Sequence, residues 1–128
     1  MMKLLIFMSL IFGSVMASAN DVTALTVESG KQQDQYYSYN FGSTWVNSRM
    51  YADFSLTAGE QQVDLEGISI RGQAYDATTN CPKILPPRQT CWTRVFFWPP
   101  FEGHYYGDLM FYLKNSTIYI RLYGWAHR

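Results

Sequence analysis

Residues 108–123 read DLMFYLKNSTIYIRLY. Leu109, Phe111 and Leu113 alternate with Met110 and Tyr112, and Ile118, Ile120 and Leu122 alternate with Tyr119, Arg121 and Tyr123. A period of two places one set on a buried face and the other on the opposite face of a strand. Asn115-Ser116 lies between the two runs and supplies turn chemistry, so the stretch predicts a β-hairpin. Asn115-Ser116-Thr117 also matches a glycosylation acceptor, but in a tight turn of a chain with a bacterial look it is read as turn only.

The same pattern extends outward from the hairpin. Cys91 to Trp98 (CWTRVFFW) is a strand stopped by Pro99-Pro100, and Gly103 and Gly107 bracket a turn. Asp76 to Thr90 holds three of the five prolines and is the longest turn-rich stretch. In Gln62 to Ile70 the parity flips: Val63 and Leu65 share one phase, Ile68 and Ile70 the other. An extra residue must absorb that shift, which predicts a β-bulge at Glu66-Gly67. Arg49 to Leu56 alternates Met50, Ala52, Phe54 and Leu56 with Arg49, Tyr51, Asp53 and Ser55. Tyr36 to Phe41, ending at Gly42, and Val22 to Val27 complete about seven strands. Beyond the first twenty residues nothing shows helical periodicity over three turns. Short strands with turns every 8–12 residues predict an all-β antiparallel sandwich.

The chain has 128 residues, with ten basic and ten acidic side chains. The length suits one domain, and the charge balance lacks the clustered basic excess of a nucleic-acid binder. Hydrophobic residues make up 48% and charged ones 16%, which describes a core-forming chain and not a disordered one. The N-terminus reads MMKLLIFMSLIFGSVMASAN: one Lys, a 13-residue apolar run from Leu4 to Met16, then Ala17-Ser18-Ala19. This is the layout of a secretory signal cut after Ala19. Thirteen residues are too few for a span, which needs ~20 to cross ~30 Å of hydrocarbon. No Cys follows the run, which argues against a lipid anchor. The expected organisation is a signal peptide at 1–19, a strand and loop segment at 20–38, and the sandwich at 39–128. The product is expected in the periplasm or outside a bacterial cell, not spanning a membrane.

Cys81 and Cys91 are the only cysteines. An even count in an oxidising compartment argues for a disulfide across the proline-rich bend. The alternatives are a reactive thiol or a metal pair. A structural metal site wants four ligands, and of the histidines only His104 and His127 could join, so the disulfide is preferred and no metal is expected.

Residues 80–109, NCPKILPPRQTCWTRVFFWPPFEGHYYGDL, resemble the choice-of-anchor D family of Ig-like domains, bacterial relatives of the ASH/Hydin domains in the PapD-like superfamily. The likeness lies in Asn-Cys, a Leu-Pro turn, a second Cys, alternating Val and Phe, then Pro, Gly and Gly-x-Leu. Asn40-Phe41-Gly42, Ile68 to Gly72 and Leu122-Tyr123-Gly124 extend it over residues 39–126. Outward Trp92, Phe96 and Trp98 depart from the family's small polar residues on that strand. The resemblance implies an Ig-like sandwich used in adhesion, assembly or interaction, with no catalytic activity, no cofactor and no functional residues to carry over.

Motifs for chemistry are thin. His104 falls in a turn, His127 is penultimate, and there is no G-x-S-x-G. Outward aromatics carry more: Trp92, Phe96 and Trp98 on one strand, and Tyr112, Tyr119, Arg121 and Tyr123 on the hairpin, with Tyr112 and Tyr119 expected to meet across it. Tyr, Trp and Arg compose binding hot spots. Three plainer accounts compete: strand-forming aromatics that merely cover a sheet, residues 20–39 packing over one face, or two strands in different sheets. The expected function is a non-catalytic module for a protein partner; the alternative is a carbohydrate- or cell-wall-binding module that stacks sugars on these rings.

Overall fold

A computed structural model describes residues 22–27 and 33–128; the signal peptide expected at 1–19 lies outside the described residues. The strands are β1 (Ala24–Val27), β2 (Gln35–Trp45), β3 (Met50–Ala58), β4 (Val63–Arg71), β5 (Tyr75–Thr79), β6 (Ile84–Leu85), β7 (Thr90–Phe97), β8 (Gly103–Leu113) and β9 (Thr117–His127). They form a four-stranded sheet, β1-β3-β7-β5, and a five-stranded sheet, β2-β9-β8-β4-β6. Pairing is antiparallel except that β1 runs parallel to β3 and β2 parallel to β9. Of the segment 20–38, the described residues 22–27 and 33–38 supply β1 and the first part of β2 as edge strands of the two sheets.

The core lies between the sheets. Phe54, Leu56, Val95 and Phe97 come from the four-stranded sheet, and Leu109, Phe111, Ile118, Ile120 and Leu122 from the other, all essentially inaccessible. These are the inward residues of the alternating runs, so burial of one parity sets which side chains point out. The β4–β8 register shifts between Leu65 and Gly67, the bulge expected from the parity flip.

Among the described residues, nine strands replace the expected seven. Both additions, β5 and β6, arise in the stretch expected to be turn. β5 buries only Tyr75, and β6 is two residues long with only Leu85 buried. Backbone pairing to β7 and β4 defines them, and that leaves no alternation to read. Residues 103–107 are strand, not turn. Gly107 stands where a Cβ would fall 2.5 Å from the Arg71 carbonyl oxygen and 2.7 Å from the Tyr75 ring, so this glycine permits close packing. Gly42 does not end β2; at φ +79° it sits within the register shift between Asn40 and Ser43, and the strand continues to Trp45.

Cys81 and Cys91 are disulfide-bonded, with their Cα atoms 4.9 Å apart. Asn80 helps seat the bridge. Its side-chain oxygen accepts the Trp92 N–H at 2.8 Å, while its own N–H donates to the Trp92 carbonyl at 3.1 Å. Thr93, fully buried, donates to Thr79 Oγ1 at 2.9 Å, so the polar group inside β7 is satisfied.

Candidate functional site

The outer face of the five-stranded sheet is built by the outward parity of β8, β9 and β2. Parallel pairing with β9 places Tyr36 opposite Tyr119, and the two rings stack 4.9 Å apart with planes 4° from parallel. Tyr119 also faces Met110 on β8. Met110 points outward as expected but is only 3% exposed, because this ring layer is thick enough to cover it. The Tyr112 hydroxyl donates to the Met110 sulfur at 3.4 Å. Tyr112 pairs with Thr117, so the expected Tyr112–Tyr119 ring contact is replaced by the Tyr36–Tyr119 stack. The hairpin register sets Tyr119 one row further from the turn, diagonal to Tyr112.

Further along, Asp108 accepts from Arg121 Nε at 2.7 Å and lies 3.7 Å from Arg71. The hydrogen bond to Asp108, and then its charge, push the Arg121 guanidinium pKa up. One carboxylate thus serves two guanidiniums, and a net positive charge sits amid the rings. With Tyr36, Tyr37 and Tyr119 these three line a shallow cleft of about 350 Å³. Tyr106 meets Tyr123 edge to face at 5.7 Å. Past them His104 stacks on Trp125 at 5.7 Å, and His127 packs on Trp45 at 4.2 Å and on Trp125 at 5.7 Å. His127 is paired in β9, opposite Trp45, and is not a frayed end; His104 is paired in β8 opposite Trp125.

The outer face of the four-stranded sheet is arranged differently. Arg94 lies over the Tyr51 ring at 4.1 Å and holds both Asp53 oxygens, at 2.7 and 3.0 Å. That hydrogen bond lowers the Asp53 pKa. Arg49 lies over Phe96 at 5.2 Å and over Trp98 at 5.5 Å. Arg49, Phe96 and Trp98, with Ala74, Tyr75 and Asp76, line a second cleft of about 370 Å³. Among the described residues no group of three His, Cys, Asp or Glu is placed to hold a metal ion, and no helix is long and apolar enough to cross a membrane.

No family model matches the chain, and no curated protein matches it. Solved structures do. The ASH/PapD-like domain of human CEP192 (PapD-like domain 7) is similar with a TM-score of 0.54 and 13% identity, over 71% of this chain and 81% of that one. The fold is PapD-like and Ig-like. Two proteases of Vibrio cholerae share it in part: VesB (TM-score 0.57, 14% identity, 73% of this chain) and the secreted serine protease VesC (0.56, 14%, 69%). The chain spans only 31% of VesB and 21% of VesC, and at such identity these likenesses speak for the fold alone.

Within this PapD-like sandwich the seven outward residues named from sequence do not form one patch. Tyr112, Tyr119, Arg121 and Tyr123 share the five-stranded face, whereas Trp92, Phe96 and Trp98 belong to the opposite face. Of the three plainer accounts, the placing of the two strands in different sheets is the arrangement found. Sequence reasoning missed Tyr36, Trp45, Tyr106 and Trp125 on the first face. Tyr106 and Trp125 share the outward parity of Tyr112 and Tyr123, which was a usable signal once 103–107 is strand. Tyr36 and Trp45 join only through the parallel β2–β9 pairing, which leaves no local trace.

Proposed function

We propose that the chain is an exported, non-catalytic Ig-like module of the choice-of-anchor D kind, working in the periplasm or outside the cell, and that it docks a protein partner through the outer face of its five-stranded sheet. One observation carries this reading: exposed rings stand on three strands there, with Tyr36 73% exposed on one side of the Arg71–Asp108–Arg121 cluster and Tyr106 60%, Trp125 44% and Trp45 59% exposed on the other. Rigid rings lose little rotamer entropy on contact, and Tyr, Trp and Arg dominate interface energetics. Large exposed apolar patches on soluble chains mark interaction sites. The net positive centre favours a partner that brings a carboxylate among apolar side chains.

The test is a paired capture from the exported fraction of the native host. The full chain and its Tyr36→Ser/Tyr123→Ser variant are compared, with Trp92→Ser as the opposite-face control. The partner should be lost only by the double variant. Equal capture by all three would exclude this face. Mass spectrometry of the exported product should find Asn20 at its N-terminus; an intact leader would exclude the export step.

A further inference from the structure

The cleft on the four-stranded sheet has the marks of a built small-ligand site, and it lies on the face opposite the docking surface proposed above. Its centre is Trp98, which follows β7. The indole N–H donates to the Asn47 carbonyl at 3.0 Å, and the Trp98 backbone N–H donates to the Ala74 carbonyl at 2.8 Å. Both acceptors belong to residues at positive φ, Asn47 at 66° and Ala74 at 73°. Asparagine tolerates that region; alanine enters it at a cost, and such residues persist where the surroundings hold them and gather at binding sites. Two left-handed residues therefore clamp one tryptophan that remains 55% exposed. Its edge is used for positioning, which leaves ring surface for a ligand.

Charge supplies the second observation. Arg71, Arg94 and Arg121 each face a carboxylate. Arg49, among the described residues, has no hydrogen bond or ion pair; its guanidinium lies only over Phe96 and Trp98. A guanidinium parked on rings with all its donors open is suited to a planar carboxylate, which it can take bidentately. Across the cleft stands Asp76, one of whose oxygens accepts the Ala77 N–H at 2.8 Å. It disfavours a bare anion but accepts hydroxyl donors. The volume, about 370 Å³, lies at the lower end of small-molecule sites, which run about 300–1,000 Å³.

From these features together we infer that the cleft binds a hexuronate unit of an acidic polysaccharide: its carboxylate on Arg49, the C–H face of its ring on Trp98, and a hydroxyl donating to Asp76. One ligand thus meets an open cation, an exposed held ring and an acceptor that would repel a simple anion.

The test is tryptophan fluorescence of the purified chain titrated with galacturonate, glucuronate and mannuronate, beside glucose and acetate. At least one uronate should give a saturable change, with glucose and acetate each at least tenfold weaker. Arg49→Gln should weaken that uronate at least tenfold, and Asp76→Asn should narrow the uronate's margin over acetate. Trp92→Phe should leave it unchanged. Arg49 is exposed, so its variant is expected to fold, and an unchanged thermal melt confirms this. No saturation by any uronate, equal binding of glucose or acetate, or full binding by Arg49→Gln overturns the inference. The Tyr36→Ser/Tyr123→Ser variant should bind uronate normally, so this site and the partner-docking face fail independently.

Discussion

The two outer faces use the same residue types in opposite ways. On the five-stranded sheet rings rest on rings: Tyr36 on Tyr119, His104 on Trp125, Tyr106 against Tyr123. The arginines there gather on one carboxylate and leave the rings open. On the four-stranded sheet cations rest on rings, Arg94 on Tyr51 and Arg49 on Phe96 and Trp98. The first layout sets exposed rings on either side of a charged centre, the arrangement proposed above for a protein partner. The second breaks the ring surface into cells, each with a cation of its own, and one of these cells is concave. The two faces are alike in aromatic content and differ in what their arginines are engaged with.

Both faces hang on one core, and Phe97→Ala is the largest perturbation of it. Phe97 is fully buried and touches Phe41, Tyr75 and Tyr105, drawing on both sheets. Removing it should cost about 3–5 kcal/mol. In urea the tryptophans of both faces should unfold in a single transition at a much lower midpoint. Two separate transitions would show that the sheets are not one cooperative unit.

Next in size is the disulfide. The chain-entropy relation for its ten-residue separation gives about 2.7 kcal/mol. Cys81→Ser/Cys91→Ser should lower stability by roughly that amount. The loop it pins hydrogen-bonds to β7 at Trp92, so NMR shifts should change around Trp92 and hardly at Tyr36 and Tyr119. Equal changes on both faces would contradict the separation drawn between them.

Gly124→Ala probes the contact of the sheets from the other side. A Cβ at Gly124 would lie 2.6 Å from the Phe97 ring, so the core must shift to admit it. Overpacking of this kind costs about 1–3 kcal/mol. A thermal melt unchanged from wild type would show that Phe97 has room to move.

The parts legible in the sequence are those where side-chain parity reports burial. Residues 108–123 declare a hairpin because Leu109, Phe111, Ile118, Ile120 and Leu122 all turn to one core, and the bulge at Gly67 is legible because Ile68 and Ile70 change phase. β5 and β6 are illegible because edge strands are specified by backbone pairing and one buried residue each. Gly107 misleads because glycine marks both a turn and a close approach. At the candidate site the outward rings of β7 and β9 are readable by parity, but two strands of equal alternation carry no sign of which sheet each joins. Tyr36 reaches Tyr119 through a pairing between residues more than eighty positions apart, set by the whole fold.

Tyr75→Phe has the smallest effect and the most specific sign. Tyr75 leaves the four-stranded sheet on β5, and its hydroxyl donates to the Tyr105 carbonyl of β8 at 3.1 Å, a buried polar tie between the sheets. Burial pushes its pKa well above the ordinary value of 10. The stabilisation tied to that shift is fully present below pH 10. Above it the unfolded chain releases a proton that the native chain keeps, so wild-type stability falls with a slope approaching about 1.4 kcal/mol per pH unit from this group. The phenylalanine variant has no such proton. At pH 7 it should be less stable than wild type by about 1 kcal/mol, the worth of one hydrogen bond. The gap should shrink above pH 10 and close near about pH 11, where the two effects cancel. Urea melts of both chains at pH 7, 10 and 11 measure it; a constant gap would mean that Tyr75 titrates alike in both states and that the tie between the sheets is open to water.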